Sequence, residues 1–388
     1  MEINQFARPT WVEIDLDAVT NNVREYTQML EGRAIIIGAI KAHGYGHGLV
    51  PLAHHLVNNG IPILAVGSVK DGRKLRKSGI TAPIQVFGNS FPQSAHLYAE
   101  HNLMPTFYNA NDPQLYQASL GEDVPLKIWI KVETGLGRLG VPLDEVETMV
   151  AFINNHTPYI IDGIYTHIGA RAALGDPSDR AFVDQQWERF EGLATRLKQS
   201  GFNIPYFQAA SSPAAISMPQ TWMNCISIGG GLFSDPEPII RKIDLRLENA
   251  FKALRSKLIS VKNYKKGEQI GVYTLTRDSR FGVAPIGLGD GLSAKNKDNT
   301  VLVRGQRCLI RGSISLEHIR IDVTDVPGVS VGDEVTLIGK QEGEEITVNE
   351  ICQRLDISSA QLWTSINPSS VPHIFWRDGE IWAIEESE

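Results

Sequence analysis

The hydrophobic pattern changes character once along the chain. Through the first part, short apolar runs rich in β-branched residues alternate with longer helix-like stretches. The runs predict strands at Trp11–Ile14, Ile35–Ile40, Ile63–Val66, Ile84–Phe87, Leu103–Thr106, Leu126–Val132, Ile160–Thr166, Tyr206–Ala209 and Cys225–Ile228. The stretches predict helices at Asp17–Leu30, Leu49–Asn58, Lys70–Ser78, Leu143–Asn154 and, longest of them, Gln185–Gly201. About eight strand–helix units over roughly 230 residues read as a parallel α/β fold, and a closed (β/α)8 barrel suits that length better than an open sheet. No G-x-G-x-x-G follows the first strands, which weighs against a dinucleotide site.

Near residue 240 the pattern shifts. Ile239–Lys257 reads as helical, and the text from about 243 onward is β-rich with frequent turn signals such as Lys266-Gly267 and Val331-Gly332-Asp333. A mostly antiparallel β domain is expected there. The expected division is therefore a barrel over 1–240 and a β domain over 241–388.

Composition narrows the classes. With 388 residues, 42% apolar and 21% charged, the chain supplies a large packed core. No run approaches the ~20 apolar residues that cross a bilayer, and the first residues do not resemble a signal peptide. Cys225, Cys308 and Cys352 are widely spaced and odd in number, so neither a disulfide framework nor a metal site is expected. A cytoplasmic protein is the expectation. The net charge of −7 argues against nucleic acid as a partner.

Candidate chemistry begins at Ile40-Lys41-Ala42-His43-Gly44-Tyr45-Gly46-His47-Gly48. An apolar strand ends in Lys41, where a barrel builds its active site. A lysine shielded from water loses basicity and becomes a nucleophile suited to Schiff-base formation. A phosphate site is expected from two later segments. One is Ala210-Ser211-Ser212-Pro213, which opens a short helix; the other is Ile228-Gly229-Gly230-Gly231, whose bare backbone can approach an anion.

The Lys41 segment closely resembles the V-K-A-N-A-Y-G-H-G segment of the alanine racemase family, with His43 and Gly44 as departures. Arg8–Leu16, Lys131–Gly140 and Gly163–His167 also resemble that family, in the same order. The resemblance implies a pyridoxal 5'-phosphate (PLP) enzyme that racemises a small amino acid by moving the α-proton between two bases. It implies that Lys41 carries the coenzyme and serves as one base, and that Tyr45, Ser212, Gly229 and Gly230 contact its phosphate. Arg138 would face the phenolic oxygen and the substrate, Lys131 would orient Arg138, and His167 would line the same mouth.

The second base of the family is a tyrosine of the partner subunit, which implies a homodimer with shared sites. Tyr273 is the tyrosine available here. Counted from its downstream flank, it aligns with the family's second tyrosine rather than with the base, so the shortened loop must move it into that role or leave one face without a base. Ser227 replaces an arginine that faces the pyridine nitrogen. Leu316, within Ser315-Leu316-Glu317, stands in the substrate loop written Cys-Met-Asp in the family. Gly287–Gly291 and Ser369–His373 lack tyrosines found there. These departures admit a larger substrate, a decarboxylase, aldolase or lyase built on the same coenzyme, or a coenzyme-binding homologue without racemase activity.

Overall fold

The structure, a computed structural model, describes residues 8–88, 91–169, 177–234, 243–271, 273–296 and 299–386. It divides into two compact units, Ala18–Gly44 with Leu52–Glu248, and Met1–Asp17 with Tyr45–Pro51 and Asn249–Glu388. The strands of the first two-thirds are β1 (Thr10–Asp15), β2 (Ile35–Ala39), β3 (Ile63–Val66), β4 (Ile84–Val86), β5 (Thr106–Phe107), β6 (Lys127–Glu133), β7 (Val141–Pro142), β8 (Ile160–Tyr165), β9 (Tyr206–Gln208) and β10 (Cys225–Ile228).

In the unit of Ala18–Gly44 and Leu52–Glu248, eight strands run parallel in the order β4-β3-β2-β10-β9-β8-β6-β5, with β7 beside β6. The edges meet at Met104. Its N–H donates to the Ile84 carbonyl (2.9 Å), and its carbonyl accepts from the Val86 N–H (2.9 Å). The sheet therefore closes into the expected (β/α)8 barrel. Helices intervene between the strands, and Pro177–Gln199 is the longest among the described residues.

Ile37, Ala39, Ile63, Ala65, Met104, Trp129, Tyr165 and Cys225 fill the barrel, as alternate residues of each strand point inward. Trp129 stacks on Tyr206 with ring centroids 6.0 Å apart. A β-carbon at Gly163 would run into the Trp129 ring, so glycine there lets the largest interior side chain fit.

The other unit is built on a sheet in which β1 lies between two distant segments. It pairs antiparallel with Phe251–Lys257 and parallel with His373–Arg377. Glu334–Gln341, Thr300–Val303 and Gln306–Leu309 extend it antiparallel on one side, and Glu380–Glu385 on the other. A second sheet holds Ser260–Tyr264, Ser279–Ala284 and Ile319–Asp322.

Two expectations are corrected. The strand Trp11–Ile14 belongs to this sheet and not to the barrel, whose first strand is β2. Phe251–Lys257, expected to end a helix, is a strand, because neighbours on both sides offer it ladders that outweigh its helix-favouring alanine, leucine, lysine and arginine. Residues 239–242 lie outside the described residues. Two helices also interrupt the β-rich text, Val348–Leu355 and Ser359–Ser365. No helix among the described residues is long and apolar enough to cross a membrane.

Candidate active site

Lys41 leaves the C-terminal end of β2. Ile40 continues the ladder by donating to the Ala65 carbonyl (2.8 Å), and then the backbone reverses its hand. Ala42, His43 and Gly44 all adopt left-handed helical angles, and Tyr45 follows at φ 55°. This single left-handed turn sets Lys41 at the barrel rim. Burial, aided by the charge of Arg138, lowers the pKa of the Lys41 amine below the ordinary lysine value.

The following segment, in the other unit, is held by the end of the chain. His373 Nε2 lies 2.9 Å from the Gly46 carbonyl as its hydrogen-bond donor. The Glu385 carboxylate accepts from the N–H groups of Leu49 (2.7 Å) and Val50 (3.4 Å). Tyr45 lies in this same unit, and burial pushes its hydroxyl up to about 12.

The barrel mouth collects basic groups. Lys131, two residues before the end of β6, is 7% exposed, and its amine sits 5.7 Å from the Tyr165 ring centre. Burial lowers its pKa to about 8, Arg138 and Lys41 add to the effect, and Glu133 opposes it. His167 follows β8 by two residues. Burial brings it down to about 4, reinforced by Arg138, Lys131 and Lys41, so it is neutral at physiological pH.

Arg138 arrives on a glycine-rich loop that has its own anchor. The Glu133 carboxylate accepts from the N–H groups of Gly135 (2.5 Å) and Arg138 (3.1 Å). Burial works against that carboxylate, yet the backbone N–H groups of Gly135, Gly137, Arg138 and Leu136 outweigh it and keep its pKa below the usual glutamate value. At the start of the loop, Arg189 Nη1 donates to the Thr134 carbonyl (3.0 Å).

Beside β2 in the barrel lies β10, paired from Cys225↔Ile35 to Ile228↔Gly38. Past its end the chain forms an anion cradle. The Ser212 Oγ accepts from the N–H groups of Gly229 (3.1 Å) and Gly231 (3.3 Å), which leaves its own hydrogen to donate elsewhere. Ser211 Oγ is buried without a hydrogen-bond partner among the described residues, and a β-carbon on Gly230 would meet open space. Cys225 points into the barrel, so alternation along β10 directs Ser227 into the mouth as a neutral hydroxyl.

These features fit PLP: an unfilled donor and a bare backbone for a phosphate, an amine of lowered basicity for an aldehyde, and clustered cations for a polyanion.

Lys41, Arg138, His167, Ser212, Ser227, Gly229 and Gly230 thus share one unit. Tyr45, Tyr273 and Leu316 belong to the other. Tyr273 opens the strand Tyr273–Thr274 beside a cavity of about 300 Å³, also lined by Phe281, Arg311, Arg320 and Asp322. Leu316 is 70% exposed, next to the exposed Leu288; their loops pair through Leu288 N–H to the Ser315 carbonyl and Gly289 N–H to the Leu316 carbonyl, both 2.8 Å. Glu133, which anchors the Arg138 loop, is a residue that the sequence did not single out.

Residues 14–236 match the profile described as alanine racemase, N-terminal domain, and residues 252–375 match alanine racemase, C-terminal domain. The chain is 31% identical to an alanine racemase of Halothermothrix orenii over 370 residues, covering 94% of this chain and 96% of that one. It is 32% identical to one from Geobacillus stearothermophilus over 393 residues, covering 99% and 98%. Among solved structures, alanine racemase from Bacillus anthracis with bound L-Ala-P superposes with a TM-score of 0.88 at 27% identity, covering 98% of each chain. A Clostridium difficile alanine racemase gives 0.87 at 25% identity, covering 98% and 99%.

Proposed function

The chain belongs to the alanine racemase family of PLP-dependent isomerases, and on that premise we propose that it interconverts the L and D forms of alanine or a similarly small amino acid at the mouth of its barrel. The observation that carries this reading is the shielded Lys41 amine one strand away from the serine–glycine cradle. When bound, the coenzyme supplies a conjugated ring that takes up the charge left on the substrate α-carbon.

The residues divide the remaining work. Ser212, Ser211, Gly229 and Gly230 hold the phosphate. Burial and Arg138 disfavour the charged form of Lys41, which favours its taking the α-proton on one face. Arg138 faces the phenolic oxygen and the substrate carboxylate, on a loop that Glu133 fixes. His167 lines the site as a neutral ring, and Ser227 offers the pyridine nitrogen a hydroxyl in place of a charge.

Tyr273 of the partner subunit handles the proton on the other face, and Leu316 of the partner subunit borders the substrate. A homodimer is therefore part of the proposal. A cytoplasmic location also belongs to this reading, in keeping with three buried free thiols.

The test is incubation with PLP and a panel of amino acids in deuterated buffer, followed by chiral and mass analysis. Alanine is expected to racemise with uptake of deuterium at its α-carbon, and Lys41→Ala to lose both this exchange and the coenzyme's protein-bound absorption band. A wild-type protein that binds PLP yet exchanges no amino acid would sink the racemase assignment.

A further inference from the structure

The helix Leu16–Leu30 presents Val19, Val23, Tyr26 and Leu30 at the spacing of a core-facing stripe, and all four are buried. Three of them are aliphatic. The fourth carries a hydroxyl at 0% exposure, and a buried phenol oxygen needs polar surroundings to offset its lost hydration.

The surroundings of that hydroxyl are the anion cradle. A β-carbon built on Gly231 would collide with the Tyr26 hydroxyl oxygen, and the same point lies 3.0 Å from Ser212 Cβ and 3.1 Å from Ser212 Oγ. The phenol therefore occupies the space that a side chain at position 231 would take, on the flank of the serine that accepts from Gly229 and Gly231. One turn earlier on the same helix, the Asn22 side-chain amide donates to the Leu232 carbonyl (3.1 Å) and to the Glu248 carbonyl (2.8 Å), and accepts from the Glu248 N–H (2.7 Å). Asn22 thus locks the helix to the residue directly after the glycine run, which fixes the register between Tyr26 and Gly231.

We propose that Tyr26 is a phosphate-binding residue: its hydroxyl donates to the coenzyme phosphate beside the hydroxyls of Ser211 and Ser212. The assignment rests on the coenzyme reading above. A phosphate dianion offers more acceptor positions than two serines and one bare backbone segment can fill, and an O–H donor aimed at an ionised oxygen is among the stronger single hydrogen bonds. It also accounts for glycine at 231, where even one added carbon would displace the phenol.

Tyr26→Phe removes the oxygen and keeps the ring that packs the helix. Coenzyme-free wild type and variant are titrated with PLP, with pyridoxal lacking the phosphate, and with inorganic phosphate as competitor. The variant is expected to bind PLP about tenfold more weakly, to bind pyridoxal as the wild type does, and to be less sensitive to inorganic phosphate. The phosphorus resonance of bound PLP is expected to move.

Equal weakening toward PLP and pyridoxal would assign the tyrosine to packing and overturn the proposal, as would unchanged PLP affinity with an unmoved resonance. Wild type that fails to take up PLP at all would overturn the coenzyme reading and this assignment together. Gly231→Ala is the second variant, chosen because it leaves the hydroxyl in the chain but displaces it; it is expected to weaken PLP more than pyridoxal, and equal weakening again counts against the proposal.

Discussion

Individual side chains at the mouth are set by charge. Burial and the charge of Arg138 disfavour protonation of Lys41 and of Lys131, and Lys41 adds to the effect at Lys131. This has a consequence for stability in the coenzyme-free protein. Lys131 titrates at about 8 when folded against 10.5 as an ordinary lysine. Between those values the unfolded chain binds more protons than the folded one, so stability rises with pH across the window. Lys41, shifted in the same direction, adds to the slope. Lys131→Met is expected to flatten the rise without abolishing it, as read from urea midpoints between about pH 7.5 and 10; parallel slopes for variant and wild type would count against a shielded amine at 131. Lys41 stood out in the sequence through the family-like motif that surrounds it, Arg138 through its own motif, and His167 through its place at the end of a strand. Glu133 was not, since its partners are backbone N–H groups that leave no side-chain signature. Tyr26 was hidden for another reason: at core spacing on a helix, an aromatic residue looks like packing, and only the fold brings residues 26 and 231 together.

Among the elements, the turn after Lys41 carries the strain. Left-handed angles cost an L-residue with a β-carbon roughly 1–2 kcal/mol, and Ala42, His43 and Tyr45 all adopt them. Ala42→Gly is expected to raise stability by up to about 1 kcal/mol, the relief being partly offset by the freer unfolded chain. A thermal melt of the coenzyme-free variant checks it, and a lower midpoint would mean that the alanine is not strained. The loop that bears Arg138 makes a second case. Glu133→Ala removes the acceptor for its backbone N–H groups, and about a tenfold loss in PLP affinity is expected as Arg138 loses its fixed place, with Glu133→Gln retaining part of it. Equal affinity in all three proteins would assign the loop's shape to its glycines alone. Strand–helix alternation was easy to read because each barrel strand is buried on both faces and each run is short. Phe251–Lys257 was misread because its composition favours a helix and its ladders come from residues far away in sequence. The helices Val348–Leu355 and Ser359–Ser365 announced themselves only through caps, Thr347 accepting from the Glu350 N–H and Ser358 paired reciprocally with Gln361, in text otherwise dominated by strands.

For the whole molecule, the question is how many chains make one site. The sequence divides at about the place where the β-rich text begins, but it gives no sign that β1 would pair with Phe251–Lys257 and His373–Arg377, because register between segments so far apart leaves no local trace. The same limit applies between chains. Lys41 and the cradle lie in one unit, Tyr273 and Leu316 in the other, and the proposed homodimer would bring these two to the site of a second copy. Sharing of that kind has an arithmetic signature. Lys41→Ala and Tyr273→Phe are each expected to be nearly inactive alone. In a mixed dimer, one site receives both defects while the other receives neither, because its lysine comes from the tyrosine variant and its tyrosine from the lysine variant. Random reassortment makes half the dimers mixed, so about a quarter of wild-type activity is expected after the two variants are unfolded together and refolded. A site built within one chain would leave each subunit with its own defect, and the mixture would stay inactive. Recovery requires Tyr273 to matter as well, so a Tyr273→Phe variant that is fully active by itself would instead show that the shortened loop has left the second face to another group.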